Sequence, residues 1–549
     1  MKRDSISMCS RTWLGVLLLS TSWLLVPLAA SAGLFDKPVL VASKWGVFEQ
    51  AFKSSNTYTN PLAEANLAVT FTSPLGDKHV VWAFWDGGRT WRVRFSPDFP
   101  GVWKFTTRCS DPSNDGLDNV TGDFVCSAST DESVFDKHGP VQVARDHYHL
   151  EHADHTPFFW LSDNAGRGAL ESTTKQWEFY ALVRAKENFT AARWIAATGT
   201  DREQRTAWNG DQINVEFFKA LDAKVSALNR DGLLDVIVPF SLIGMTNSGF
   251  AAPSDEQAIL LLRYMVARWG ANDVAWFLPG DDGSIARWKK IGHAVFVNTS
   301  HAPVILDATE DYMTLEMFRN EHWVDVFGYH YGREFTNDLG KWLVTGSITN
   351  DWKKYPPRPY INISSAYENE EDGVGHPRVN AATLRHIAGE SLLATPTAGI
   401  GYGAHGVWNW DTTTNMDSNG GRALANWQIA LYLPGAKQLG TWSKFFQTFD
   451  FGRLRPAPEL VVNQPGSQSP GKYIAAAETE FEDMALLYLP EGGDVEVNIK
   501  SLPKTLTGTW ANGSTGETIP VSISTDSGTA KLSAPGAGDW FLLIQAAKK

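Results

Sequence analysis

Cysteine is nearly absent, with three residues in a chain of 549, at positions 9, 109 and 126. That excludes a small disulfide-stapled scaffold and a cysteine-rich zinc fold. Basic charge is also in deficit: 48 lysines and arginines face 61 aspartates and glutamates, for a formal net charge of −13. Nucleic acid and acidic membrane surfaces are therefore disfavoured as partners. Beyond residue 28 no apolar run reaches the roughly 20 residues that span a bilayer. No glycine-rich phosphate cradle is present, so no cofactor is expected. Nor is there a repeat of the length that marks solenoids and propellers.

What the chain does carry begins at its N-terminus. Lys2, Arg3 and Arg11 precede the apolar run Leu14 to Leu28, and Ala30-Ser31-Ala32 forms a small-residue cleavage signature. Residues 1–32 thus read as a removable signal peptide. Its loss takes away three cations and Asp4 and moves the formal charge from −13 to −15. The mature protein is expected to be secreted or periplasmic. In such a compartment Cys109 and Cys126, in the strand-like runs KFTTRC and GDFVC, read as one disulfide, with two reduced buried thiols as the other reading.

Periodicity divides the mature chain into three. In residues 33–140, Trp91, Val93 and Phe95 alternate with Arg92 and Arg94, and Trp103 and Phe105 alternate with Lys104 and Thr106. This pattern reads as an antiparallel β-sandwich. From 141 to 455 strand and helix patterns alternate: PFFWLSD, a helix over Thr173 to Lys186, FTAARWIAA, a helix over Asn214 to Asp231, LLDVIVPFS, a helix over Glu256 to Trp269, then VAWFLPGD. Four more strand candidates, APVILDA, WVDVFGYHYG, RPYINISSAYE and GIGYGAHGVWNWD, bring the number to eight. Eight such strands predict an α/β fold of the (β/α)8 TIM-type barrel. In 456–549, Pro456, Pro458, Pro465 and Pro470 lead into short alternating runs such as MALLYL and WFLLI, which read as a second β-sandwich.

Active sites of such barrels form where the strands end. Polar residues gather there: Asp163, Arg193, Asp281, Asp307, His330, Glu368, His405 and Asp411. The sharpest case is VAWFLPGDD, a buried-strand pattern that runs straight into Asp281 and Asp282. A carboxylate at that point must be paired, hydrogen-bonded or functional. Asp282 also reads as a turn or helix-capping residue. Trp194, Trp208, Tyr329, Trp408 and Trp410 are candidates for stacking on sugar rings, and for each core packing is the competing reading. The stretch DHYHLEHADH, from Asp146 to His155, has four histidines, but their spacing fits a strand and a turn, so no metal site is assigned.

Several segments in order resemble one family: FEQAFKSSNTYTNP, FWDGGRTWRVRFSPDFPGVWKF, FFWLSD, VAWFLPGDD, YGAHGVWNWD, LPGAKQL and LRPAPELV. Together they resemble the apiosidase-like glycoside hydrolases, the family 140 type. The resemblance implies an N-terminal β-sandwich, a catalytic TIM-type barrel and a C-terminal domain labelled collagen-binding. One segment departs. Where the family typically has Asn-Gly-Glu-Pro-x-Tyr-Glu, this chain has Asn362-Ile363-Ser364-Ser365-Ala366-Tyr367-Glu368. Ser364 replaces the first glutamate and Glu368 matches the second. His330-Tyr331-Gly332-Arg333 likewise replaces a Gln-Ser-Gly-His run.

The expected activity is hydrolysis of a glycosidic bond in a plant or algal polysaccharide. It requires a carboxylic acid that protonates the leaving oxygen and a carboxylate on the opposite side. Asp281 is assigned as general acid and Glu368 as nucleophile or general base, with Asp282 as the neighbouring charge. Arg193, Asp163, His330, His405 and Asp411 are assigned to the sugar. A carbohydrate-binding protein without turnover and a lyase using His330 or Tyr331 on a uronic acid are the alternatives.

Overall fold

In the computed structural model the described residues are 40–547 apart from 130–132, 241–252, 280–283, 298, 309–311, 331–345, 347, 365, 371–377 and 413–425. The segment read as a signal peptide lies outside them. Among the described residues no helix is long and apolar enough to cross a membrane.

The centre is a closed barrel of eight parallel strands in chain order: β1 (Trp160–Gly166), β2 (Ala191–Ile195), β3 (Leu234–Val238), β4 (Val274–Pro279), β5 (Val304–Ala308), β6 (Val326–His330), β7 (Tyr360–Ser364) and β8 (Thr397–Tyr402). Helices between them include α1 (Thr174–Lys186), α2 (Val215–Arg230), α3 (Asp255–Trp269), α4 (Ile285–Phe296), α5 (Tyr312–Phe318), α6 (Ile348–Asp351), α7 (Ala381–Ala394) and α8 (Pro434–Phe446). Two helix starts follow from their caps. Thr173 with Gln176, and Ser254 with Gln257, form reciprocal capping boxes that satisfy orphan backbone N–H groups.

Both faces of a barrel strand are covered, so strands such as β4 are apolar throughout. Successive residues nevertheless point in opposite directions. Ala275 and Phe277 fill the barrel interior with Ala191, Ile195, Val236, Ile305, Val326 and Ile363, while Trp276 and Leu278 join the larger core under the helices. A small antiparallel sheet of Val141–Val143, Leu150–His152 and Pro157–Phe158 precedes β1, and its Val141, Leu150 and Phe158 pack onto this interior beside Trp160. The histidine-rich stretch belongs to that sheet and its turns. Its histidines pair separately, His149 with Asp146 at 3.1 Å and His155 with Glu151 at 2.8 Å.

The N-terminal sandwich has a five-stranded sheet in the order Val41–Ser43, Thr121–Ser127, Gly101–Cys109, Leu67–Thr72, Lys78–Trp82, and a three-stranded sheet of Phe48–Lys53, Thr90–Phe95 and Phe84–Trp85. Trp91, Val93, Phe95, Trp103 and Phe105 fill its core. The arginines between them face outward, and Arg94 reaches Asp222 of α2 at 2.9 Å. Arg268 of α3 holds the same carboxylate at 2.7 Å and Asp86 of the sandwich at 3.1 Å. This cluster fastens the sandwich to the helix layer.

The disulfide is corrected: Cys109 and Cys126 are both free and buried. Their strands are neighbours, but the antiparallel register sets Cys126 opposite Gly101, at the far end of the strand from Cys109. Eight residues of strand separate the thiols by about 27 Å, against a Cα separation under about 7 Å in a disulfide. The unfolded chain without residues 1–32 is therefore expected to yield two titratable thiols, and reductant should leave its unfolding temperature unchanged.

The C-terminal domain has a six-stranded sheet, Leu454–Pro456, Ala475–Thr479, Met484–Leu489, Trp540–Ala546, Leu506–Asn512, Thr518–Ser522, and a two-stranded sheet of Asp494–Asn498 and Thr529–Ser533. One face of the larger sheet completes its own core through Leu487, Leu542 and Ile544. The other face joins the barrel's outer core through Leu486, Tyr488, Phe541 and Leu543. Arg385 of α7 holds Asp539 at 2.7 Å in the same interface. Gly389 lets α7 approach, since a Cβ there would lie 2.5 Å from the Tyr488 ring. Deleting residues 466–549 would strip this apolar cover from α7 and α8, so loss of solubility or a large fall in unfolding temperature is expected, checked by thermal unfolding of the truncated chain.

Candidate active site

The C-terminal ends of the strands form the mouth of the barrel. β5 shares its interior parity between Ile305 and Asp307, and β6 places His330 beside it. His330 Nε2 lies 2.9 Å from Asp307 Oδ1 and 3.0 Å from Oδ2. Asp307 is 7% exposed. The pair gives the mouth a carboxylate and an imidazole in fixed relation.

On the other side, Arg193 points inward from β2, on the face shared by Ala191 and Ile195, and its guanidinium lies 4.7 Å from the centre of the Phe277 ring. β4 carries the chain from Phe277 to the mouth at Pro279, two residues before Asp281. Asp281 and Asp282 themselves lie outside the described residues, as does Tyr331.

The third side is built from β1, β7 and the turn after β8. The Asn164 side-chain amide donates to the Tyr367 hydroxyl, and the Tyr367 ring is 6.0 Å from that of Trp408. The Trp408 carbonyl accepts from Arg167 N–H at 3.1 Å. Gly166, with φ +46°, permits this approach, because a Cβ there would lie 2.2 Å from the Trp408 oxygen. Trp408 is half-buried and packs against the barrel interior, so of the stacking candidates it is the one beside the mouth. Asn164 and Tyr367 were not singled out by sequence. Their signal was parity with Ser162 on β1 and proximity to Glu368, neither of which is chemically distinctive.

Other assigned residues face away from the mouth. Asp163, next to the inward Asn164, is fully buried under the helices, where it accepts from Arg184 Nε at 2.6 Å and the Tyr180 hydroxyl at 2.9 Å. Trp194 donates to Asp235 at 2.8 Å within the outer core. Tyr329 lies in that core too, and Trp410 is stacked there on Trp427 at 4.1 Å. These four are corrected from sugar contacts to core residues. Trp208 is half-buried in a short hairpin with Gln212–Ile213 that packs on the same outer core. His405 and Asp411 belong to the turns after β8; His405 N–H donates to the Glu368 carbonyl at 2.9 Å. Among the described residues Asp411 Oδ2, which is buried, has no hydrogen-bond partner, and burial raises its carboxyl above the usual range.

Glu368 is the largest departure from the sequence reading. Its carboxylate is turned into the helix layer, where the Tyr402 hydroxyl donates to Oε2 at 2.8 Å and Gly435 N–H, at the start of α8, lies 3.0 Å from both oxygens. It is 3% exposed. Gly435 closes over it, since a Cβ there would be 2.6 Å from Oε2. Burial raises its pKa, opposed by the Tyr402 and Gly435 hydrogen bonds. A carboxylate so enclosed cannot reach an anomeric carbon in this geometry. Its position fixes α8 to the turn after β7, with Glu368 paired in bridge register to Ala404.

A cavity of about 1220 Å³ lies between the N-terminal sandwich and α3 and α4, lined by Trp82, Arg263, Tyr264 and His301. It reaches Asp273 and Val274, the entry to β4, and so lies at the opposite end of the strand from the mouth.

Residues 144–452 match the profile of the apiosidase-like catalytic domain. The chain belongs to the apiosidase-like family. It is thus a glycoside hydrolase, as the sequence resemblance implied. In this apiosidase-like chain residues 41–110 match a domain of unknown function (DUF5060), and 456–545 match a domain labelled collagen-binding, from a collagenase. No match is found among curated proteins. Among solved structures it is similar to a glycoside hydrolase family 5 protein of Bacteroides vulgatus, with a TM-score of 0.67 and 16% identity over 75% of this chain and 95% of that one. A second Bacteroides vulgatus protein, assigned as a glycoside hydrolase, matches 92% of this chain and all of its own at a TM-score of 0.67 and 16% identity. At such identities the likeness is one of fold.

Proposed function

We propose that this apiosidase-like enzyme is exported and hydrolyses a glycosidic bond in a plant or algal polysaccharide, with Asp281 as general acid and Asp307 as the second carboxylate. The observation that carries the second assignment is Asp307 itself, inward on β5 at the mouth with His330 hydrogen-bonded to it, while Glu368 is enclosed by α8. β4 and β5 are neighbours in the barrel. An acid following β4 and a carboxylate ending β5 therefore flank one region of the rim.

In the proposed reaction Asp281 gives its proton to the leaving oxygen as the glycosidic bond breaks. The Asp307 carboxylate either attacks the anomeric carbon or takes a proton from the attacking water. The imidazole of His330, at 2.9 Å, orients that carboxylate. Trp408 offers a ring beside the mouth for the apolar face of a sugar. The C-terminal domain is proposed as a buttress, because the sheet face it would use elsewhere is spent on the barrel. Screening the mature protein against plant and algal polysaccharides for new reducing ends tests the reading; binding across the panel with no release would count against it.

A further inference from the structure

The cavity of about 1220 Å³ between the N-terminal sandwich and α3 and α4 takes no part in the proposed reaction, since it lies at the entry of β4, away from the mouth. It is larger than the roughly 300–1,000 Å³ of a site for one small molecule, and it sits where such sites favour, between two domains. Its sandwich wall carries two tryptophans. Trp82 ends the edge strand Lys78–Trp82 of the five-stranded sheet and is 46% exposed, and Trp45, half-buried, follows the strand Val41–Ser43. Val80, two residues before Trp82 and so on the same side of the edge strand, lines the cavity and is exposed as well. Apolar surface left in water beside a deep cleft marks a contact site.

The polar groups of the cavity say what kind of contact. Asn66, just before the strand that pairs with Trp82, and Asn272 and Asp273, at the entry of β4, line it, and among the described residues their side chains make no hydrogen bond. Burial, with Asp136 adding to it, raises the Asp273 carboxyl to about 8, so near neutral pH it is an uncharged donor and acceptor. The cations on the wall are engaged elsewhere. Arg94 is held by Glu49 and Asp222, and Arg263 gives Nε and Nη2 to the Ala294 carbonyl at 3.2 and 2.7 Å. With Asp98 on the wall and a formal charge of −13 on the chain, acidic polymers are repelled. Flat apolar rings beside uncharged amides and a carboxylic acid match a ligand whose ring faces are apolar and whose rim is hydroxyl, which is a neutral sugar.

We propose that this cleft is a second, non-catalytic glycan site that takes a run of neutral sugar residues, with Trp82 and Trp45 against ring faces and Asn66, Asn272 and Asp273 bonded to hydroxyls. Its occupant is a stretch of the polysaccharide that the enzyme cuts. Held at the far end of the barrel, the polymer stays with the enzyme between turnovers, which raises the effective concentration of cleavable bonds at the mouth. The assignment rests on the proposed polysaccharide substrate and is independent of which carboxylates cleave it.

The test is affinity electrophoresis of the full chain through gels holding xyloglucan, glucomannan, arabinan or galactan, with homogalacturonan and gelatin as acidic and polypeptide probes. At least one neutral glycan is expected to retard the wild type. Trp82→Ala should weaken that affinity about 10- to 100-fold, the usual cost of truncating an aromatic anchor, and Asn272→Ala about 2- to 10-fold, the worth of one hydrogen bond. Both variants should keep the unfolding temperature of the wild type, and Trp408→Ala, at the mouth, should keep the retardation. Turnover of a short oligosaccharide by Trp82→Ala should be unchanged, while its kcat/KM on the polymer falls. Wild-type retardation of both Trp82→Ala and Asn272→Ala would overturn the assignment. So would loss of all retardation in Trp408→Ala, retardation by homogalacturonan or gelatin alone, or none by any neutral glycan. Trp82-dependent retardation without sugar release from any glycan would refute the polysaccharide hydrolase and leave the cleft as a glycan site. Sugar release with retardation that ignores Trp82 would do the reverse.

Discussion

Replacing Asp281 by Asn is expected to lower kcat by about 10²- to 10⁴-fold, the usual contribution of a positioned proton donor. The unfolding temperature should stay near that of the wild type. Asn keeps the volume of the side chain but cannot donate the proton that the proposed reaction gives to the departing oxygen. kcat and kcat/KM should fall together, because the lost interaction belongs to the transition state. A substrate whose leaving group needs no protonation should recover most of the rate. Steady-state kinetics on such an activated glycoside and on the natural glycan check both halves of this expectation.

The second large effect separates the two candidate partners of Asp281. Asp307→Asn is expected to reduce kcat by a similar 10²- to 10⁴-fold with the fold intact, since it stands near the end of β5 beside His330, which can hydrogen-bond to either side chain. Glu368→Gln should leave the kcat of the folded enzyme within a few-fold. Its cost falls on stability, about 1–3 kcal/mol, because an amide N–H must then face the Gly435 N–H or the Tyr402 hydroxyl in a closed space. The pH dependence has a definite sign. Burial raises the Glu368 pKa, so the folded state binds that proton more tightly than the unfolded state. The stability it contributes is complete below the ordinary glutamate range of about 4.3 and is lost as pH rises through the raised value. Gln does not titrate, so the stability gap between wild type and variant should narrow across that interval. Denaturant unfolding at several pH values measures it.

The architecture was legible because periodicity and capping chemistry act locally. Thr173 and Ser254 announce α1 and α3 through their capping boxes, and the five apolar residues before Pro279 announce a strand covered on both faces. The direction of side chains on the strands was legible as well. Neighbours on a strand point to opposite faces, so Arg193 and Trp194 could not both face the mouth, nor could Tyr329 and His330. In each pair the more polar residue is inward and the aromatic one is in the outer core.

Two features could not be reached that way. β7 slips register against both neighbours, between Tyr329 and His330 on one side and between Tyr360 and Asn362 on the other. Counting alternate residues towards Glu368 therefore fails, and only the contacts with Tyr402 and Gly435 reveal where it points. The cysteines failed for a similar reason. Their strands are adjacent, but the register that sets Gly101 opposite Cys126 depends on the intervening turn and not on either cysteine.

The most direct measurement is the mass of the products formed from a cleaved glycan in oxygen-18 water by the enzyme, with the Asp281→Asn and Asp307→Asn variants alongside. The account predicts saturated products with one heavy oxygen at the new reducing end, formed by the wild type and nearly absent from both variants. Unsaturated, unlabelled products would mean elimination, and labelled products from an undiminished Asp307→Asn enzyme would remove Asp307 from the chemistry.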